Sequence, residues 1–170
     1  MGTPVEFENV DLEEVLEEID ESGLSVSQAG DSLSQDDISS YRDLASGDGL
    51  DSSTTGDLNI VILDGTSAEG TGLRNLAQSV KDSTDADTVM VRAPHNSQVI
   101  SDNLSRYQIE STQQEMHGSR APEDVSAFFD ASTAAEPSFG IVNILILVGV
   151  LIAVVCATAF AAVTYRPTKQ

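Results

Sequence analysis

Basic side chains are scarce in this chain: eight Lys and Arg stand against 28 Asp and Glu, for a formal net charge of −20. All 28 acids lie before residue 141 with only six of the basic residues, so that part carries −22 and the tail, with Arg166 and Lys169, +2. Such a field repels phosphate backbones and anionic headgroups, which argues against nucleic-acid binding and against adhesion through a polybasic patch. Cations and basic protein surfaces are the counterparts it favours. Cysteine is almost missing as well. Cys156 stands alone inside an apolar run, so no intrachain disulfide exists and the residue acts as a small hydrophobe. Without thiolates, His95 and His117 make a poor zinc pair. The start, MGTPVEFENVDLEEV, has neither a basic n-region nor an apolar h-region, so a cleaved secretory signal is not expected.

Charge is also missing from residues 141–163, IVNILILVGVLIAVVCATAFAAV, where Asn143 and Thr158 are the only conventional polar side chains. At about 1.5 Å rise per residue, a helix over this run matches a hydrocarbon core of about 30 Å, which predicts one C-terminal transmembrane helix in contact with membrane lipid. Gly149, Ala153, Ala157 and Ala161 recur every fourth residue, a face on which another helix can approach the backbone closely. Helix–helix association is therefore expected there. Arg166 and Lys169 behind the span favour a cytoplasmic C-terminus and place the preceding domain outside, in the cell membrane. The competing arrangement is a cytoplasmic adaptor anchored by its tail.

The remaining residues read as an acidic N-terminal region, 1–56, an α/β core, 57–131, a linker, 132–140, the span, 141–163, and a basic tail, 164–170. In Asp11 to Glu21, Leu12, Val15, Leu16 and Ile19 share one helical face, and the helix ends near Gly23. Residues 23–56 are rich in Ser, Asp and Gly and read as partly mobile, with one helical patch at Ile38, Tyr41 and Leu44 behind a Ser34 cap. Asp57 to Asp64 reads as a buried strand, Thr71 to Ser83 as a helix through Leu73, Leu76, Ala77 and Val80, and Thr88 to Arg92 as a second strand parallel to the first. Gln98 to Ile100 and Arg106 to Glu110 add strands, and residues 121–131 a helix with Pro122 at its first position. The fold class expected is α/β, a small two- or three-layer domain with a short mixed sheet, followed by the transmembrane helix.

No complete catalytic motif is present. The stretch from Gly65 to Gly72 lies where phosphate loops lie, yet Thr71 and Gly72 occupy the places of the Walker Lys and Ser/Thr. Asp82, Asp85 and Asp87 crowd one turn and are the candidate ligands for Ca2+, without the Gly and Glu of an EF-hand loop. Asp64, at the C-terminal end of the first strand, with Thr71 and Arg74 on the following helix, forms the candidate ligand or partner site, because open α/β sheets bind ligands at that edge. Arg106 is a further member. A metal-dependent hydrolase or phosphatase using Asp64 is the enzymatic rival to a binding protein.

The succession Asn59-Ile-Val-Ile-Leu-Asp64, Thr71-Gly-Leu-Arg-Asn-Leu-Ala77, Thr88-Val-Met-Val-Arg-Ala-Pro94 and a C-terminal apolar run with a basic tail resembles a family of actinobacterial single-pass membrane proteins. The likeness covers residues 57–170. Those proteins are often encoded beside NlpC/P60-type peptidoglycan hydrolases, and their domain is similar to the TPM domain, a small α/β module tethered to membranes. The resemblance implies a TPM-like fold and rests on motifs that are structural rather than catalytic; no catalytic residue and no cofactor beyond Ca2+ is expected. It further implies an envelope protein partner such as a peptidoglycan hydrolase, and a role in regulating that enzyme or organising envelope assembly.

Overall fold

The structure is a computed structural model and describes residues 10–27, 33–63, 70–116, 118, 120–135 and 139–164. The chain divides into two compact units, Met1–Glu136 and Pro137–Gln170. In the first, the elements run α1 (Leu12–Ser22), β1 (Leu24–Ser27), α2 (Gln35–Ala45), α3 (Ser52–Thr55), β2 (Leu58–Leu63), α4 (Gly70–Ser83), β3 (Thr88–Ala93), β4 (Asn96–Ser101), α5 (Arg106–Thr112), a 3-10 turn (Gln113–Met116) and α6 (Glu123–Ala134). The second contains α7 (Phe139–Thr164).

Four strands make one mixed sheet in the order β1-β2-β3-β4. β1 and β3 flank β2 in parallel, and β4 returns antiparallel to β3 across Pro94 and His95. Alternation along the central strands separates two cores. Ile60, Ile62 and Met90 face Tyr41 and Leu44 of α2, Met116, and Val125, Phe128 and Phe129 of α6. Val61, Leu63, Val89 and Val91 face Val15 and Ile19 of α1 and Leu73, Leu76, Ala77 and Val80 of α4. Three layers result, with helices on both sides of a sheet whose β2 and β3 are buried almost throughout. Each fully buried Leu, Ile, Val or Phe contributes roughly 1.5–3 kcal/mol to that arrangement.

Local chemistry sets the ends of these elements. Asp11 caps α1 by accepting from the Glu13 N–H at 3.0 Å, and Gly23 closes it in the left-handed region at φ 70°, its N–H reaching Ile19 O. Ser34 and Asp37 form a reciprocal capping box at α2, and Ser105 and Gln108 form another at α5. The second box overrides the strand expected at Arg106 to Glu110, which is helical. β1 was not expected at all. Leu-Ser-Val-Ser gives a weak apolar signal, and the strand is held by its pairing of Leu24 with Ile60 and by Glu18, whose carboxylate accepts from Ser25 Oγ (2.7 Å) and Val26 N (3.2 Å). Pro122 is the N-cap of α6 rather than its first residue, and Thr71 lies inside α4.

The transmembrane helix expected over residues 141–163 requires correction. The run is helical, as α7, but among the described residues no helix is long and apolar enough to cross a membrane. The α/β part of the expected fold class stands, while the spanning helix does not. What α7 does show is apolar exposure. Apart from Tyr107, every exposed large hydrophobic side chain among the described residues lies on it, from Ile144 to Phe160.

Candidate functional site

At the C-terminal end of β3, a strand of the composition Thr-Val-Met-Val-Arg-Ala places Arg92 beside Ile62 of β2 and Ser97 of β4, on the face shared with Met90. Its side chain is fully buried. Such a charge requires partners, and α2 and α6 supply them. Arg92 Nη1 donates to Tyr41 Oη at 2.7 Å and to Ala121 O at 3.0 Å, and Nη2 meets Asp124 Oδ2 at 3.3 Å. The guanidinium carbon lies 5.8 Å from the centroid of the Tyr41 ring. Tyr41 Oη in turn donates to Arg120 O at 2.8 Å, and Arg120 Nη1 reaches Leu63 O at 3.4 Å. One hydroxyl therefore joins three segments.

Burial pushes the Tyr41 phenol up to about 12, against a smaller opposing pull from Arg92. A phenol kept protonated in this way remains a hydrogen-bond link well above neutral pH. Next to Arg92 in the ladder, Ser97 is also fully buried, and its Oγ has no hydrogen-bond partner among the described residues. Tyr41, Arg92, Ser97, Arg120 and Asp124 do not stand out as a group in the sequence. One signal was available, since an arginine inside an apolar strand demands an acidic or carbonyl partner from elsewhere in the chain.

The residues singled out from sequence are spread over the fold. Asp64 lies outside the described residues. Thr71 and Arg74 are exposed on α4, on one side of the sheet, whereas Arg106 is exposed on α5, which packs on the other. The structure does not bring Arg106 to Thr71 and Arg74. Arg106 instead pairs within its own helix with Glu110 at 2.6 Å, both side chains being well exposed. Asp82 accepts from Gln78 Nε2 at 2.7 Å, Asp87 accepts from the Asp57 N–H at 3.0 Å, and Asp85 is exposed. Among the described residues no group of three or more His, Cys, Asp or Glu could hold a metal ion. Gly149, Ala153 and Ala157 lie on α7, exposed, and the side chain of Ala161 falls outside the description.

The opposite end of the parallel strands has a different character. Asp57 precedes β2, residues 84–87 lead from α4 into β3, and α1 runs alongside, enclosing an open cleft of about 780 Å³. Glu17, Asp20, Asp57, Asp82 and Asp85 supply its walls, and Leu16, Ile19 and Ala86 add apolar surface. No Lys or Arg lines it among the described residues. Lys81 lies beside the lining residue Ala86, its Nζ donating to Ala86 O and pairing with Asp102. The cleft therefore presents negative potential, which suits a cationic partner.

A three-layer α/β unit, in one chain with a helix of exposed apolar side chains, defines a structural class: an α/β domain with an apolar helical unit. Within that class the chain belongs to the membrane protein Rv1476 family, whose profile matches residues 5–170. This is accordingly a membrane protein by family. No curated protein and no solved structure matches the chain. Of the likeness noted from the sequence, membership in a membrane protein family is what the comparison supports. A TPM-like domain and an association with peptidoglycan hydrolases are not part of that match.

Proposed function

We propose that the chain is a membrane-associated, non-enzymatic interaction protein of the bacterial cell envelope, which receives a basic surface of an envelope partner at the acidic cleft. The observation that carries this reading is the cleft, with five carboxylates and no basic residue among the described residues of its lining. A non-enzymatic role is supported by the Arg92 cluster, whose hydrogen bonds are directed at Tyr41, Ala121 and Asp124. Membrane association is supported by the family and by the exposed apolar surface of α7. The partner class implied by the family resemblance is a peptidoglycan hydrolase or a protein that organises envelope assembly, with the α/β unit outside the cell.

Crosslinking of the full chain in membranes, followed by recovery of its partners, tests this. Wild-type protein is expected to retain an envelope protein that the triple variant Glu17→Lys, Asp20→Lys, Asp85→Lys loses, with its circular dichroism unchanged. Equal recovery by both would overturn the cleft as the binding surface. Metal-dependent turnover by the purified chain, abolished in Asp64→Asn, would overturn the non-enzymatic half. For the location, Asp48→Cys in a Cys156→Ser background is expected to react with an impermeant thiol reagent in intact cells. Reaction only after lysis would place the α/β unit inside.

A further inference from the structure

We draw no further inference here: the strongest candidate, the buried Arg92–Tyr41–Asp124 cluster with the neighbouring Ser97 hydroxyl at the C-terminal edge of the sheet, belongs to the packing of α2 and α6 against β3, and nothing among the described residues shows a ligand that reaches it.

Discussion

At the scale of single residues, Arg92 dictates most. A fully buried guanidinium is tolerated because a phenol, a carbonyl and a carboxylate meet it, and removing one of these leaves a desolvated charge short of compensation. Tyr41→Phe deletes both the acceptor for Arg92 and the donor to Arg120 O, and is expected to cost about 1–3 kcal/mol in urea unfolding. The same phenol gives the fold a dependence on alkaline pH. Its folded pKa, about 12, lies above the ordinary 10.0, so the folded state holds the proton that the unfolded chain releases. The corresponding stability is fully present below pH 10 and is lost as pH rises through about 12. At about 1.4 kcal/mol per pKa unit the loss is on the order of 3 kcal/mol. Denaturation midpoints across that window should fall in the wild type and fall less in Tyr41→Phe; parallel curves would mean that Tyr41 ionises as freely folded as unfolded. Gly56 is constrained in another way, because it sits at φ 56° and a Cβ there would overlap the Asp87 side chain. Gly56→Ala is expected to destabilise by more than about 1 kcal/mol, read as a lower melting temperature.

At the scale of elements, the two capping boxes show where local sequence decides and where it does not. Ser34 was legible as a cap because an apolar face follows it at helical spacing, with Ile38, Tyr41 and Leu44. Ser34→Ala removes an acceptor for the Asp37 N–H and should cost about 1 kcal/mol, with amide exchange in α2 accelerating beyond that in α4. Uniform acceleration would mean that α2 does not open on its own. Ser105 and Gln108 form the same motif, yet the stretch reads as a strand because Tyr107 and Ile109 alternate with polar residues over five positions. In so short a window a period of two cannot be told from a helical face. The central strands, α1, α4 and α6 were legible because their apolar residues face a core. β1 was not, since its four residues gain their structure from β2 and from the Glu18 carboxylate, both contributed from outside the segment. The Arg92 cluster was hidden for a related reason: its members stand at positions 41, 92, 120 and 124, and only the three-layer packing brings them together.

For the whole molecule, charge and hydropathy specify different modes of association, and salt separates them. An N-terminal part carrying −22 is repelled by anionic headgroups, so electrostatic adhesion does not explain a membrane protein of this composition. Among the described residues α7 carries the exposed apolar side chains that can supply affinity, Leu147 being 67% and Phe160 72% exposed, and such surface gains roughly 25 cal/mol per Å² on leaving water. Association of that origin resists about 1 M salt, where the Debye length is about 3 Å, because screening acts on charges and leaves apolar transfer intact. The full chain is therefore expected to sediment with membranes before and after a high-salt wash. Leu147→Lys, Leu151→Lys and Val154→Lys in combination should shift it to the supernatant, while the urea unfolding midpoint of Met1–Glu136, followed through the near-ultraviolet signal of its aromatic residues, stays constant. Release of the wild type by salt alone would assign the attachment to an electrostatic contact with another membrane protein. Sedimentation of the triple variant with the wild type would remove α7 from the account.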